Sequence, residues 1–467
     1  MDYIGLTLGL LLPWLLGYSV LLALEWPVAK PDTRSDIALR LGCGYVIGAL
    51  LLTLWMRAVS AAGMHFGWPT IGVPLFVLTA LLVVWAWQHG RLSSRFFGAI
   101  SLRSLERWQR FLWLGLASWV ALRVVSLAIE VAWRPLYPWN AWTEWATKAR
   151  VWYGLGHIVP FAGVTEWLTG APAYFDAAPD NPATVPLLQV WSCVALGRWD
   201  DSAMNWPWLL TLIALALFAY GALRDRGSEP LVALVGCWLI VSLPLLDVQV
   251  ALAGYPDLML ATVYALGALA LYRWSVRRDW RDACVAVILG LSCPLIKHSG
   301  AFWAMTLVPG IVATMLPGRG VKLLGFALGA GILVLLALTR WDTAFLGRHL
   351  DFEPLWRSLI AGFLLLGNWH LLWYAAIVLA VIGARHLVQR PLAPLAMIAA
   401  AALILVFIVF AYPAAGAWIG DSTALSRFAL PLATALVFLG VLLWNELTKP
   451  APATAIASTA AARVADA

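Results

Sequence analysis

Charge is scarce in this sequence. Asp, Glu, Lys and Arg make up 12% of its 467 residues against 62% hydrophobic residues, and the mean hydropathy is +0.83. Soluble domains run at roughly 45–50% apolar, so a water-soluble globular protein is excluded. Cysteine is scarce as well. Cys43, Cys193, Cys237, Cys284 and Cys293 lie inside or beside apolar runs, with no metal-ligand or pairing spacing, and read as small hydrophobes. Also missing are a repeat of about 20–50 residues, a nucleotide-binding loop, a divalent-metal cluster and any soluble module. The first apolar run, 3–24, has neither a basic leader nor a small-residue cleavage site, and reads as a retained helix.

What the chain has in excess is apolar runs and tryptophan. Thirteen runs fall at about 3–24, 38–56, 72–88, 111–132, 204–222, 231–248, 256–274, 283–296, 300–316, 321–339, 358–382, 392–411 and 426–444. A hydrocarbon core about 30 Å thick is crossed by about 20 helical residues, so the pattern predicts an all-α polytopic membrane protein with about 13 transmembrane helices. Most of the 29 tryptophans read as interface anchors.

The segments between runs alternate in basic content. Arg91, Arg95, Arg103, Arg107 and Arg110 mark one; Arg224 and Arg226, then Arg273, Arg277, Arg278 and Arg281, then Arg319 and Lys322, then Arg385 and Arg390 mark the others. Placing these in the cytoplasm fixes the topology, and the same bias accounts for the net charge of +7 without a nucleic-acid partner. The segment 133–203, the Asp247–Asp257 turn, the Lys297–His298 break, 340–354 and 412–425 then share the outer side. The segment 183–199 is read as re-entrant or surface-lying, because a full crossing there would invert everything after it. The expected organisation is an N-terminal membrane part with a basic cytoplasmic loop over 1–110, a membrane core over 111–445 containing the external loop 133–203, and a disordered Ala/Pro/Thr-rich cytoplasmic tail over 446–467.

The candidate chemistry gathers on that outer side. In YPWNAWTEWATKARVWY, residues 137–153, a helical wheel puts Trp139, Trp142, Trp145 and Trp152 on one side and Asn140, Thr143, Glu144, Thr147 and Lys148 on the other. Such a helix lies in the interface, tryptophans down. Glu144 and Asn140 then face a reacting group while Lys148 and Arg150 face an anion, or Glu144 and Lys148 form a surface i,i+4 pair. Further on, Asp176, Asp180 and Asn181 punctuate a proline-rich turn, where Asp180 serves as a site carboxylate or an Asx-turn residue. Asp247 and Asp257 flank a Gly-Tyr-Pro break that contains Tyr255, and Asp257 is a ligand, a catalyst or a helix cap. CPLIKHSG places Lys297 and His298 at membrane depth, where ionisable groups face a cavity or snorkel to an interface. Arg427 opens the last run, as a phosphate ligand or a helix anchor.

Taken in order, YPWNAWTEWATKAR, DNPATVPLLQVW, GYPDLML, KHSG and RFALP resemble the GT-C superfamily of integral membrane glycosyltransferases, in particular the ArnT and protein mannosyltransferase group, across roughly 111–445. The resemblance implies a sugar donor linked to polyprenyl phosphate, a sugar acceptor in the periplasm or the lipid, an inverting transfer with a carboxylate base, and a bacterial inner membrane with the active face outward. The missing nucleotide-binding loop and divalent-metal cluster fit a lipid-phosphate donor; no cofactor is expected, and a divalent metal is not indicated. In that family an aspartate stands where this chain has Asn140, so the base moves to Glu144, Asp180 or Asp257, or the chain binds a sugar lipid without turnover. Lys297, His298, Arg427 and Arg150 become phosphate ligands. A reading from another class is a transporter or flippase for a lipid-linked or anionic substrate, with Lys297, His298 and Asp257 along its pathway.

Overall fold

The computed structural model describes residues 2–27, 36–91, 102, 105–170, 173–340, 356–411 and 422–449. The tail expected over 446–467 lies outside these residues from 450 onward, as do most of the basic segment after Arg91 and much of the outer segments 340–354 and 412–425.

Helices dominate. They are α1 (Asp2–Ala23), α2 (Asp36–Ala61), α3 (Val73–Gln88) and α4 (Arg107–Trp133), then a loop bearing α5 (Trp139–Ala141), α6 (Thr147–Leu155), α7 (Val164–Leu168) and α8 (Thr184–Leu196). After it come α9 (Trp206–Asp225), α10 (Pro230–Val241), α11 (Pro244–Ala251), α12 (Asp257–Arg277), α13 (Trp280–Ile296), α14 (Gly300–Met305), α15 (Val308–Met315) and α16 (Arg319–Arg340). The last are α17 (Trp356–Ile360), α18 (Leu372–Ile382), α19 (Ala384–Leu387), α20 (Ala393–Ala411) and α21 (Ser422–Thr448). Among the described residues the only sheet is a parallel pair in the loop, β1 (Phe161–Ala162) and β2 (Tyr174–Phe175), with Phe161 opposite Tyr174.

Each of the thirteen apolar runs is occupied by a helix or a broken helix. Among the described residues, eight helices are long and apolar enough to cross a membrane, or nine if α10 and α11, bent by 57°, form one span. Proline explains two of the breaks. Pro244 opens α11 and Pro309 sits at the start of α15, where each lacks the N–H a continuous helix would need. The protein is therefore an all-α, membrane-embedded chain.

α12 is the central helix: 89% of its apolar window is buried, against 6% for α4, which runs along the outside. Apolar residues surround α12 on every side, as a fully enclosed helix requires, and its neighbours are α9, α13, α20 and α21. α1 and α2 join the same body, since Leu39 and Cys43 share the main core cluster with Leu212 and Phe218 of α9.

The two ends of the bundle differ. At one, Arg273 is buried between Asp225 and Asp282, and Trp26 donates its indole N–H to Asp282 at 2.8 Å. Arg277 also reaches Asp225, and Glu25 bridges Arg91 and Arg281. These arginines belong to segments that the sequence assigned to one side, and they do meet. The opposite end carries the loop 133–203 and the starts of α9, α12 and α21.

α8 corrects one alternative for 183–199. Its 13 residues are too short for a crossing at 1.5 Å per residue, but they do not lie on a surface, because all except Val194 are buried. The segment packs against α1 and α6.

Candidate active site

Three helix ends meet at Asp257. Gly254 has φ +110°, a backbone conformation that glycine alone adopts without strain, and it turns the chain from α11 into Tyr255 and Pro256. Trp208 holds this turn by donating its indole N–H to the Tyr255 carbonyl at 2.8 Å. Asp257 is the first residue of α12, where the helix dipole favours a carboxylate, and it is only 2% exposed. Its Oδ1 accepts a hydrogen bond from Lys297 Nζ at 2.7 Å, and its Oδ2 accepts from Arg427 Nε at 2.9 Å, with Nη2 at 2.8 Å.

Both cations are delivered by local breaks. Lys297 follows α13 in an extended conformation. The turn after it closes tightly on Gly300, where a Cβ would lie 2.1 Å from the Cys293 carbonyl oxygen. Arg427 sits in the second turn of α21, its guanidinium 3.7 Å from the centroid of the Tyr255 ring, an attraction between a cation and an aromatic face.

Glu144 is the fourth member. It lies in a π-helical turn, Trp142–Ala146, whose Thr147 N–H reaches back to the Trp142 carbonyl. π-turns are uncommon and concentrate at functional sites. The Glu144 carboxylate is half-buried and makes no hydrogen bond or ion pair among the described residues, while Asp176, Arg427, Lys148 and Lys297 all act on it electrostatically. Burial raises its pKa above the ordinary carboxylate value and Asp176 adds to the rise, against the pull of the three cations. Burial likewise pushes the Tyr255 hydroxyl upward, with Arg427 opposing. Chemically, the site offers two partly neutralised cations with donors to spare beside a carboxylate that is ready to take a proton.

No protein-family model matches the chain. No curated protein and no solved structure matches it either.

The structure brings Glu144, Tyr255, Asp257, Lys297 and Arg427 together and gives the other candidates different contacts. Lys148 is corrected. Expected on the polar face toward an anion, it is 1% exposed, 3.6 Å from Asp176, and donates to the Ala178 carbonyl. Burial lowers its pKa and Asp176 opposes that. Its task is to hold the loop 176–178 against α6. The shared tryptophan face is corrected too: Trp139 and Trp142 are 72% and 55% exposed, whereas Trp145 and Trp152 are buried. The π-turn adds a residue to the helical count, so the tryptophans at its start and those behind it point different ways.

Arg150 is exposed and stacks over Trp199 at 4.8 Å. Asn140 is exposed, with no side-chain partner among the described residues. Asp180 contributes its backbone carbonyl, 2.7 Å from His298 Nε2, and its carboxylate acts on Lys148. His298 thus ties the Lys297 turn to the proline-rich loop. The sequence reading passed over Arg57 and Thr184. Arg57 donates to Thr184 Oγ1 at 3.0 Å, and Thr184 Oγ1 donates to the Leu295 carbonyl at 2.6 Å, just before Lys297. The available signal was an arginine closing an apolar run on the side opposite the arginine-rich segments, against the positive-inside bias.

Proposed function

We propose that the chain is a membrane glycosyltransferase that moves a sugar from a polyprenyl-phosphate donor to a periplasmic or lipid acceptor, with inversion. The observation that carries this reading is the meeting of Lys297 and Arg427 on Asp257 beside the unpaired, half-buried carboxylate of Glu144. A lipid phosphate is a leaving group that stays in the membrane, and the spare donors of Lys297 and Arg427 hold it. Glu144 takes the proton of the acceptor hydroxyl. The oxygen attacks the sugar C1 from the far side, the C1–O bond to phosphate breaks, and its electron pair leaves on the phosphate. Asp257, with both oxygens committed, positions the two cations.

The active end faces outward across a bacterial inner membrane, with the buried Arg273 end in the cytoplasm, and the chain crosses about 13 times. The transfer as proposed calls for no cofactor. A GT-C-like fold accounts for the order of the motifs, with Asn140 in the place of that family's aspartate.

The test is sugar transfer from polyprenyl-phosphate donors by wild type, Glu144→Gln, Asp257→Asn and Asn140→Asp. Wild type should transfer, and Glu144→Gln should lose about 10²–10⁴ of the rate. If wild type and Asn140→Asp are both inert while the donor still binds, the chain is a sugar-lipid binding protein. If Glu144→Gln keeps full rate, the base is elsewhere. A transporter or flippase reading draws on the 57° break between α10 and α11, just after which Asp247 pairs with Arg123 of the apolar helix α4. Flux of donor across vesicles without transfer would favour it.

A further inference from the structure

Arg57 lies close to the C-terminal end of α2, at the same end of the bundle as Asp257. Its Nε is buried without a partner, and among the described residues no carboxylate pairs with its guanidinium. In this it differs from its neighbours, since Lys148 has Asp176 and Lys297 and Arg427 have Asp257. An arginine cannot escape the cost of burial by losing its proton. Nor is the helix that it touches a counter-charge. Thr184 is the first residue of α8, a 13-residue helix whose N-cap, Ala183, supplies no side-chain cap. The helix dipole presents its positive end there and repels a cation. The side chain is only partly buried, so water screens part of its charge, but with its Nε unpaired and no acid at hand among the described residues the guanidinium is open to an anion.

We propose that Arg57, positioned by the Thr184 hydroxyl at the start of α8, holds a phosphate group, as a second anion site beside the Lys297 and Arg427 pair. The Thr184 hydroxyl, already donating to the Leu295 carbonyl, fixes the spacing between the two sites through the two residues that precede Lys297. Arg57 supplies the charge and a planar set of donors that matches phosphate oxygens. The occupant is the phosphate of a phosphorylated acceptor or the headgroup of an acidic phospholipid. Only this role as second substrate rests on the proposed function; the binding does not.

The experiment uses the full chain in nanodiscs of neutral phosphatidylcholine, titrated with inorganic phosphate and read by calorimetry and thermal unfolding. Because Lys297 offers phosphate a separate place, the decisive background is Lys297→Met. There phosphate should still bind and stabilise, and adding Arg57→Gln should weaken that binding at least about tenfold, the loss of one charge-assisted contact. Arg57→Lys keeps the charge without the fork and should weaken phosphate less while unfolding normally, which guards against a folding defect in the glutamine variant. Phosphate binding to Lys297→Met that survives Arg57→Gln and Arg57→Lys undiminished overturns the site, as does a complete loss of phosphate binding in Lys297→Met alone. Failure of sugar transfer with phosphate binding intact removes the enzyme reading and leaves this one standing. Repeating the titration with phosphatidylglycerol in the disc separates the sources. Competition with phosphate that depends on Arg57 identifies a lipid headgroup, and unchanged phosphate affinity identifies a soluble phosphate ester.

Discussion

Replacing Asp257 by Asn keeps its shape and removes its charge, which leaves Lys297 and Arg427 facing each other. The carboxylate is almost wholly buried and accepts from both cations, at 2.7 Å from Lys297 and 2.9 and 2.8 Å from Arg427. Removing one partner of a buried ion pair costs about 3–5 kcal/mol. The two cationic side chains are 28% and 25% exposed, so water relieves part of their repulsion, and the expected loss is at the low end, about 3 kcal/mol. Reversible unfolding in mixed micelles by SDS titration measures it. A second result separates this from a generic core defect. The freed cations form a stronger anion site, so millimolar inorganic phosphate should restore more stability to Asp257→Asn than it adds to wild type, by linkage of binding to folding. If the variant unfolds within about 1 kcal/mol of wild type, or phosphate stabilises both equally, the account of Asp257 as the residue that restrains two phosphate-binding cations is refuted.

Glu144→Gln should slow transfer by about 10²–10⁴ while leaving the unfolding midpoint unchanged or higher, since it removes a half-buried charge next to Asp176. The acid limb of kcat/KM in wild type should lie above the ordinary carboxylate range because burial raises this carboxyl. The sign for stability follows: a carboxyl that binds its proton more tightly when folded stabilises the fold as pH falls through its folded value, and Glu144→Gln should lack that gain. Lys148→Met should cost about 3 kcal/mol by leaving Asp176 buried without its cation, and Lys148→Met with Asp176→Asn should recover much of it in a double-mutant cycle. An additive double mutant would mean that the pair is not coupled.

The membrane class and the meeting of the arginine-rich segments at one end were legible because they rest on local features. Long apolar runs and the arginines between them need no knowledge of distant partners, and Arg91, Arg273, Arg277 and Arg281 do gather at one end. The site was legible in fragments. Gly254 and Pro256, and Pro294 and Gly300, announced two breaks, but that Asp257, Lys297 and Arg427 share one carboxylate is a contact across 40 and 170 residues of chain. Lys148 was misplaced because a helical wheel assumes a constant 3.6 residues per turn, and its partner Asp176 lies on a loop that the wheel does not contain. Arg57 was passed over because it stands just past the end of an apolar run, and only its contact with Thr184 gives it a place in the site.

The π-turn at Trp142–Ala146 makes the chemistry of the loop a matter of count as well as composition. Deleting any one residue from it would restore α-helical hydrogen bonding and swing everything ahead of the deletion by about 100° around the axis relative to Ala149 and Trp152. Trp139 and Trp142 would turn away from their present outward direction with every other residue of the helix still in the chain. Substitution scanning preserves length, so it samples every side chain of this helix and never its phase.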